Sequence, residues 1–539
     1  MEESMMQGIG RRQFLTGSLA VGAAVVAGSV GLSGCAPKTE KEPSSSQDVQ
    51  SSGQPTYMQR ESLGEPSKTI TTDFVICGAG GCGTCAGIEA RNLGLDVICL
   101  EKQNIAGGTF GFSEVTFAVG SHYQKDLGIN ITVDEVVKEC LEFNHYIPSP
   151  DLYRTFVAQT ADTIDWVESM GCSFSNVMLE KGHFYAGDHV KGAGHEFIAT
   201  LVKAAEDKGV EFMYETSAKE LVYEEGRVTG VLAVDSSGTV IKVEAKAVLL
   251  STGGWANNAD MLRELGGVDP DHVTASGYIG RDGDGIIMGR SIGANFARNP
   301  ENIMFYGPLL RGASWGSQLW VGTMQPTLWV NDKGKRFTNE QIENLCYLGQ
   351  ALRDQKRVLT IATQADLDYF AEVGPWKNGG GFVPAGEPMT DFKDQLQKAI
   401  NDGNESIIVA DTIEELAEKA AIDADTFAGT VERYNELAAA GADSDYGKDA
   451  KCLTPLKEGP FYAFESNDAF YTTVGGLRVN ERMEVIDEEG EAIKGLYAGG
   501  CDAGGLYGDT YGIFEAMGSQ SSWAMNSGRL AAKQVAKLA

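Results

Sequence analysis

The sequence predicts an α/β protein built around a Rossmann-type βαβ unit. Three observations favour this fold: a short apolar strand at 71–77, a glycine-rich turn at 78–83 that opens a helical stretch, and a second apolar strand at 96–100. The 539 residues are enough for two or three domains. An apolar content of 42% and 67 glycines indicate a folded chain rich in tight turns rather than a disordered one.

The N-terminus is typical of an export signal and is kept out of the fold prediction. Arg11 and Arg12 precede an apolar run at 19–32, which ends in a lipoprotein-like box at Cys35. We predict a twin-arginine signal at 1–35, a lipid anchor on Cys35 and a location at the extracytoplasmic face of the cell membrane. An uncleaved membrane anchor is the alternative, although the run is shorter than the roughly 20 residues of a spanning helix.

Residues 36–66 are rich in Ser, Pro, Gln and Glu, and we expect a disordered tether there. The formal net charge of -31 excludes nucleic acid as a partner, because that partner requires clustered Lys and Arg. Beyond Cys35 nine cysteines remain, an odd number, so no disulfide framework is expected. Cys82 and Cys85 form a CxxC without a second pair, which favours packing residues over a metal site, and no metal site is predicted.

The glycine turn predicts a dinucleotide site. Its glycines permit a tight turn, a close approach of the backbone to a pyrophosphate, and close contact between helix and strand. The helix N-terminus offers unpaired N–H groups to the phosphates. Glu101 ends the second strand, where its carboxylate can accept hydrogen bonds from ribose hydroxyls. The residues assigned to this turn are Gly78, Gly80, Gly81 and Gly83.

Nicotinamide and flavin dinucleotides both fit such a turn, and three later segments favour FAD. Residues 210–248 read as a three-stranded insertion that ends near Gly253. Residues 282–285 open a helix with Asp284, and residues 495–500 form a strand and turn that ends at Gly500.

With these segments the chain resembles the flavoprotein family of fumarate reductase and succinate dehydrogenase, including the related 3-ketosteroid dehydrogenases. The resemblance covers about residues 71–535 and includes the motifs at 107–109, 330–340 and 473–477. It implies an FAD-binding domain at 67–311 and 456–539, interrupted by an α+β capping domain at 312–455, with substrate held between them. Further FAD contacts are assigned to Gly107, Gly108, Thr109, Gly192, Gly475, Gly476 and Asp502.

Three substrate positions depart from the family pattern. Fumarate reductases hold two carboxylates with two histidines and an arginine, and the matching segments here carry Tyr306, Tyr471 and Tyr511. Residues 358–376, where the resemblance places the proton-donating arginine, contain no Arg or Lys. A phenol offers one neutral hydrogen bond and an apolar face in place of a charged fork. The site is therefore predicted to reject a dianion, although each tyrosine could be a core aromatic.

The resemblance also implies catalytic roles. Tyr511 resembles the carbonyl-binding tyrosine of ketosteroid dehydrogenases, and Arg336 and Glu340 match the proton-delivery motif of the cap. Glu340 could equally be a solvated carboxylate at a helix start. Cys501 stands where relatives carry Glu or Asn beside FAD, and Asp502 is expected to substitute for that group.

The function predicted is hydride transfer from FAD to a carbon–carbon double bond conjugated to a carbonyl, in a small steroid-like or aromatic substrate. Tyr511 would polarise the carbonyl, and Tyr306, Tyr471 or a relay through Glu340 would protonate carbon. Since the chain has no CxxCH haem motif, electrons are expected from a separate membrane or extracytoplasmic donor. The alternatives are a 3-ketosteroid 1,2-desaturase and a non-catalytic flavin-binding lipoprotein.

Overall fold

A computed structural model describes residues 54–60, 62–187, 192–379 and 383–538. The predicted export signal, its Cys35 and residues 36–53 of the predicted tether lie outside these ranges. Among the helices of the described ranges, none combines the length and the apolar character needed to cross a membrane.

Nineteen strands lie within the described ranges. They are β1 (Lys68–Thr71), β2 (Phe74–Cys77), β3 (Val97–Leu100), β4 (Val115–Phe117), β5 (Phe174–Met178), β6 (Gly182–Tyr185), β7 (Glu211–Met213), β8 (Thr216–Glu224), β9 (Arg227–Asp235), β10 (Val240–Glu244), β11 (Ala247–Leu250), β12 (Val273–Ala275), β13 (Ile303–Leu310), β14 (Leu328–Asn331), β15 (Val358–Thr363), β16 (Ile407–Ala410), β17 (Phe461–Thr473), β18 (Glu484–Ile486) and β19 (Ala492–Ala498).

Fourteen α-helices complete the described part of the chain. They are α1 (Gly81–Asn92), α2 (His122–Asp126), α3 (Val133–Phe143), α4 (Pro150–Glu168), α5 (Ala193–Asp207), α6 (Ala259–Glu264), α7 (Asp284–Ser291), α8 (Gln318–Thr323), α9 (Leu345–Arg353), α10 (Gln364–Glu372), α11 (Phe392–Asn401), α12 (Ile413–Ala420), α13 (Ala424–Ala440) and α14 (Ser519–Val535).

The larger sheet confirms the predicted α/β class. Its main path runs β1-β10-β9-β19-β11-β2-β3-β7. The pairs from β19 through β11, β2 and β3 to β7 are parallel. Strands β2, β3 and β11 are buried along their whole length, which explains their unbroken apolar runs. The predicted three-stranded insertion is the antiparallel set β8, β9 and β10.

A second sheet of six strands carries Tyr306 and Tyr471, two of the three tyrosines of the predicted active site. Its order is β12-β17-β15-β14, and β13 and β16 also pair with β17. The central strand β17 lies beyond the predicted cap boundary at 455, and β12 and β13 lie before the boundary at 312. The range 312–455 therefore divides a continuous sheet, because the pairing of β17 joins segments far apart in the chain.

The C-terminal part of the predicted tether, from residue 54, packs on the domain. Thr56 donates its backbone N–H to Glu264 (2.9 Å), and Leu63 donates its own to Glu220 (3.0 Å). Arg60 forms an ion pair with Asp284 (2.7 Å), and Tyr57 packs against the core. The expectation of disorder up to residue 66 is wrong for this stretch, since its few apolar and charged side chains find partners only in the fold.

Candidate FAD and substrate site

The turn between β2 and α1 has the conformation that its glycines predict. Gly78 has φ +103°, and a Cβ added there would lie 2.4 Å from the Ser251 carbonyl oxygen. A Cβ at Gly83 would lie 1.9 Å from the Gly78 carbonyl oxygen, so only glycine allows this helix to approach the strand. Helix α1 has no side-chain cap, which leaves its first N–H groups for an anion.

Glu101 ends β3 and faces the same cavity. Its carboxylate accepts hydrogen bonds from the backbone N–H groups of Ala79 and Gln103, both at 2.9 Å. Burial raises the pKa of Glu101, and these N–H groups act in the opposite direction. The carboxylate therefore ties the glycine turn to the end of β3, at the point where the sequence predicts a ribose contact.

One cavity of about 330 Å³ connects this turn to the predicted tyrosines. Its wall includes the following predicted residues: Gly78, Gly80, Gly81, Glu101, Gly108, Thr109, Gly253, Asp284, Gly500, Tyr471 and Tyr511. The structure does not place the others in the wall: Gly83, Gly107, Gly192, Gly475, Gly476, Asp502, Tyr306, Arg336 and Glu340. Gly83 and Gly107 lie behind the wall. The Gly107 N–H donates a hydrogen bond to the Ala79 carbonyl oxygen.

The cavity fits FAD on three observations. Gly80 lines it, and a Cβ added there would meet no atom within 4 Å. Thr109 Oγ1 and Gln520 Oε1 are buried in its wall without a hydrogen-bond partner in the described structure. Such orphaned groups are expected where a polar ligand belongs. The glycine turn and Glu101 would hold the adenosine and phosphates, and Gly253 and Gly500 lie further along the wall.

Asp284 lies in the wall near Glu101 and forms three ion pairs there. Its buried carboxylate pairs with Lys102 (2.7 Å), Arg60 (2.7 Å) and Lys219 (3.4 Å). Burial raises the pKa of Asp284, but these cations outweigh burial and hold it below the ordinary value. Three segments distant in sequence thus meet at one carboxylate beside the predicted ribose contact.

Asp502 does not replace the acidic group that relatives carry at position 501. Its carboxylate accepts from Thr252 N–H (2.6 Å) and Gly254 N–H (2.9 Å), behind the cavity wall. Cys501 occupies the wall instead, with its sulfur 3.2 Å from Thr472 Oγ1 and 3.2 Å from Gln520 Nε2. The expectation for Asp502 is therefore corrected, since its side chain fixes the loop after β11 rather than facing the cavity.

Aromatic rings form the other end of the cavity. The pairing of β13 with β17 places Tyr306 and Tyr471 side by side, with ring centroids 4.6 Å apart. Trp315 packs against both, at 4.0 Å and 5.0 Å. Tyr471 and Trp315 line the cavity directly, together with Met304 and Ile513. This end offers the apolar faces and edges of aromatic rings to a ligand.

The three tyrosine hydroxyls differ in their partners. The Tyr511 hydroxyl donates to Ala516 O (3.2 Å) and accepts from the N–H groups of Gly518 (2.8 Å) and Ser519 (3.2 Å). Tyr306 hydrogen-bonds Ser276 Oγ at 2.7 Å. Within the described residues, Tyr471 alone of the three has no hydrogen bond to its hydroxyl. The predicted carbonyl contact of Tyr511 is thus replaced by backbone bonds, and Tyr471 is the phenol left to meet a ligand.

Arg336 and Glu340 lie in a buried ion cluster of the second sheet. Arg336 bonds both Glu340 (2.8 Å) and Asp443 (2.7 Å), and Lys448 lies 3.1 Å from Glu340. Glu340 is fully buried, so the alternative of a solvated carboxylate is wrong. Neither residue lines the cavity, and no direct proton donation from Glu340 to a ligand follows from this arrangement.

Many wall residues were not predicted from the sequence, and two of them, Trp315 and Arg281, matter most for the aromatic end. Trp315 and Arg281 both lie in loops, where neither periodicity nor a motif distinguishes them from surface residues. Of these two residues, only Arg281 could have been found from the sequence, because it directly precedes the predicted Asp282–Gly285 segment. The nine described cysteines are all free, as expected, and eight of them are buried.

Comparison with known proteins places the chain among flavoproteins. The family model described as FAD binding domain matches residues 73–513. The vinyl phenol reductase of Lactiplantibacillus plantarum is 33% identical over 483 residues, which cover 87% of this chain and 97% of that protein.

Two solved structures support the fold. The open conformation of a flavocytochrome c3 fumarate reductase superposes with a TM-score of 0.67 at 24% identity, covering 88% of this chain and 79% of the other. The 3-ketosteroid delta1-dehydrogenase of Sterolibacterium denitrificans superposes with a TM-score of 0.69 at 19% identity, covering 87% of this chain and 100% of the other.

Proposed function

Because the chain belongs to the FAD binding domain family and is an FAD-dependent oxidoreductase of carbon–carbon double bonds, we propose that it reduces a flat aromatic substrate whose double bond is conjugated to the ring or to a carbonyl. The observation that carries the proposal is the aromatic end of the cavity, where Tyr306, Trp315 and Tyr471 pack together. The vinyl phenol specified in the name of the bacterial relative has this chemistry.

The wall composition favours a neutral or singly charged substrate over a dicarboxylate. Binding a dianion requires cations that offset the loss of hydration of both carboxylates. At the aromatic end the described wall offers one cation, Arg281, beside phenol and indole groups such as Tyr471 and Trp315, which suits at most a single negative charge. Such groups stabilise a planar ring by contact and stacking.

Tyr471 is assigned the proton. The bound cofactor, once reduced by two electrons from a separate donor, would supply a hydride to one carbon of the double bond. Tyr471 transfers its hydroxyl proton to the adjacent carbon, and water returns a proton to the phenolate, so that one π bond is replaced by two C–H bonds. Burial holds the pKa of Tyr471 well above its ordinary value, so the phenol carries its proton at neutral pH and would release it only to a strong base, such as the carbanion that hydride addition leaves. A separate electron donor must then reduce the oxidised cofactor again.

The test is anaerobic turnover with reduced viologen as donor and a panel of vinyl phenols, hydroxycinnamates, steroid enones and fumarate. We expect dye oxidation with aromatic members and none with fumarate. Tyr471→Phe should lower kcat by about a hundredfold, the usual range for loss of a positioned acid. Tyr306→Phe is the matched control, because that hydroxyl bonds Ser276 outside the cavity wall. Equal effects of the two substitutions would remove Tyr471 from the mechanism, and turnover confined to fumarate would refute the substrate class.

We also propose export, on the strength of the Arg11-Arg12 pair, the apolar run and the Cys35 box. A protein that binds its cofactor in the cytoplasm suits a route that carries folded proteins. Replacing both arginines with lysine should leave the protein unprocessed in the cytoplasm, and Cys35→Ser should abolish incorporation of labelled fatty acid. Export and labelling that both survive these changes would contradict the proposal.

A further inference from the structure

Arg281 is a buried cation in the cavity wall. It lies in the loop between β12 and α7, and 4% of its surface is exposed. Its Nη1 donates to the Tyr471 carbonyl oxygen at 2.6 Å, which places it at the aromatic end of the cavity rather than at the glycine turn.

All the protein partners of this guanidinium are neutral. Besides the Tyr471 carbonyl, it donates to the carbonyls of Tyr278 (2.9 Å) and Ser276 (2.6 Å) and to Asn257 Oδ1 (3.2 Å). No carboxylate of the described residues forms an ion pair with it. Nη1 and Nη2 each carry two hydrogens and each has one protein acceptor, so each retains one hydrogen for a ligand.

Other buried arginines of this chain are neutralised. Arg336 bonds two carboxylates, Glu340 and Asp443. Arg529 likewise bonds Glu89 and Asp162, both at 2.9 Å. Burial lowers the pKa of Arg281 to about 10, which still leaves it charged at neutral pH. Asp282 is close enough to act on this charge but pairs with Lys102 instead. A buried cation with no carboxylate in contact is costly, so its presence in a cavity wall points to an anion that arrives with a ligand.

Resting on the proposed function, we infer that Arg281 is the binding residue for a delocalised oxyanion held at the aromatic end of the cavity. Two molecules could carry this oxyanion. One is the substrate, as a phenolate or carboxylate conjugated to the double bond. The other is two-electron-reduced FAD, which is anionic at neutral pH. In both cases the guanidinium stabilises negative charge next to Tyr471, the residue that supplies the proton.

The experiment compares Arg281→Met, which keeps length and removes charge, with Arg281→Lys, which keeps charge. FAD content and melting temperature are measured first on both holoenzymes. The midpoint potential of bound FAD is then determined, together with dissociation constants for 4-hydroxycinnamate and for its neutral methyl ester methylated on the phenol oxygen. Neither measurement requires turnover, so both remain readable if the proposed function fails.

If the substrate carries the oxyanion, Arg281→Met should weaken binding of the anion by at least about thirtyfold and that of the neutral analogue far less. If reduced FAD carries it, the midpoint potential should become more negative and the two ligands should respond equally. Arg281→Lys should retain most of either effect. An FAD-loaded Arg281→Met protein with unchanged potential and unchanged ligand affinities would overturn the inference. Loss of FAD from a folded Arg281→Met protein, with retention in Arg281→Lys, would also overturn it, because the partner would then be the FAD diphosphate.

Discussion

The two ends of the cavity differ in whether backbone or side chains form most of the contact surface. At the Glu101 end the contact surface is backbone, shaped by Gly78, Gly80 and Gly83 within a single βαβ unit. At the aromatic end it consists of side chains such as Tyr471 and Trp315, brought together by pairing of β13 with β17 and by the loop that follows β13. The first end has a shape that suits many dinucleotides, and the proposed function assigns the choice of substrate to the second.

The two ends differ in how they tolerate amino-acid substitutions. A backbone site fails when any Cβ enters it, whereas a side-chain site changes its preference when one ring is exchanged. Members of one family can therefore share a cofactor site and differ in the side chains that contact the substrate. The departures at 306, 471 and 511 all fall within or next to the side-chain end.

The largest effect is expected from Gly83→Ala. The added Cβ would lie 1.9 Å from the Gly78 carbonyl oxygen, so α1 must move away from β2 and the turn must open. We expect a loss of at least about 3 kcal/mol in the free energy of unfolding and failure to retain FAD. Chemical denaturation and the flavin absorbance of the purified protein measure the two effects.

Gly80→Ala is the matched control for this prediction. Its Cβ would meet no protein atom within 4 Å but would enter the cavity. The apoprotein should unfold like the unsubstituted chain and should bind FAD more weakly. If both alanine variants unfold alike, the backbone account of this end is wrong.

Glu340→Gln tests whether the ion cluster belongs to the chemistry of the aromatic end. The change leaves Lys448 buried without its carboxylate and weakens the pairing of Arg336. Stability should fall by about 3 kcal/mol, the lower range for breaking a buried ion pair. Because Glu340 does not line the cavity, kcat measured well below the melting temperature should fall less than tenfold, roughly. A hundredfold loss of kcat with normal stability would return Glu340 to the proton path.

The smallest effect is expected from Tyr511→Phe, which tests whether Tyr511 has a structural role and Tyr471 a catalytic one. Tyr511→Phe removes the oxygen that accepts from Gly518 and Ser519, leaving two buried N–H groups unpaired. The expected cost is about 1–3 kcal/mol of stability with little change in kcat. Thermal melting and steady-state turnover, with Tyr471→Phe assayed in parallel, decide the point. A loss of kcat equal to that of Tyr471→Phe would restore Tyr511 as the substrate's hydrogen-bond donor.

Local patterns were sufficient for much of the fold. The strands, glycine turn and acidic residue at 71–101 lie within one short segment, and the α/β class predicted from them is confirmed. The family resemblance, which also rests on the motifs at 107–109, 330–340 and 473–477, is confirmed as well. The cap boundaries at 312 and 455 could not be placed, because β17 pairs with strands from distant segments. The packing of residues 54–60 and 62–66 was missed, since the partners Glu264, Glu220 and Asp284 lie far away in sequence.

The sequence was sufficient for the cofactor end, with its glycines of required conformation and the acidic residue at the strand end. It also showed that tyrosines replace three expected cations within or next to the aromatic end. The folded chain was needed to show which of those tyrosine hydroxyls has no hydrogen-bond partner among the described residues, that Asp502 lies behind the wall, and that Arg281 lies in the wall. The physical reason is the range of the interactions. Backbone conformation is set by neighbours in the chain, whereas a hydroxyl or guanidinium takes its role from partners that meet only in the folded protein.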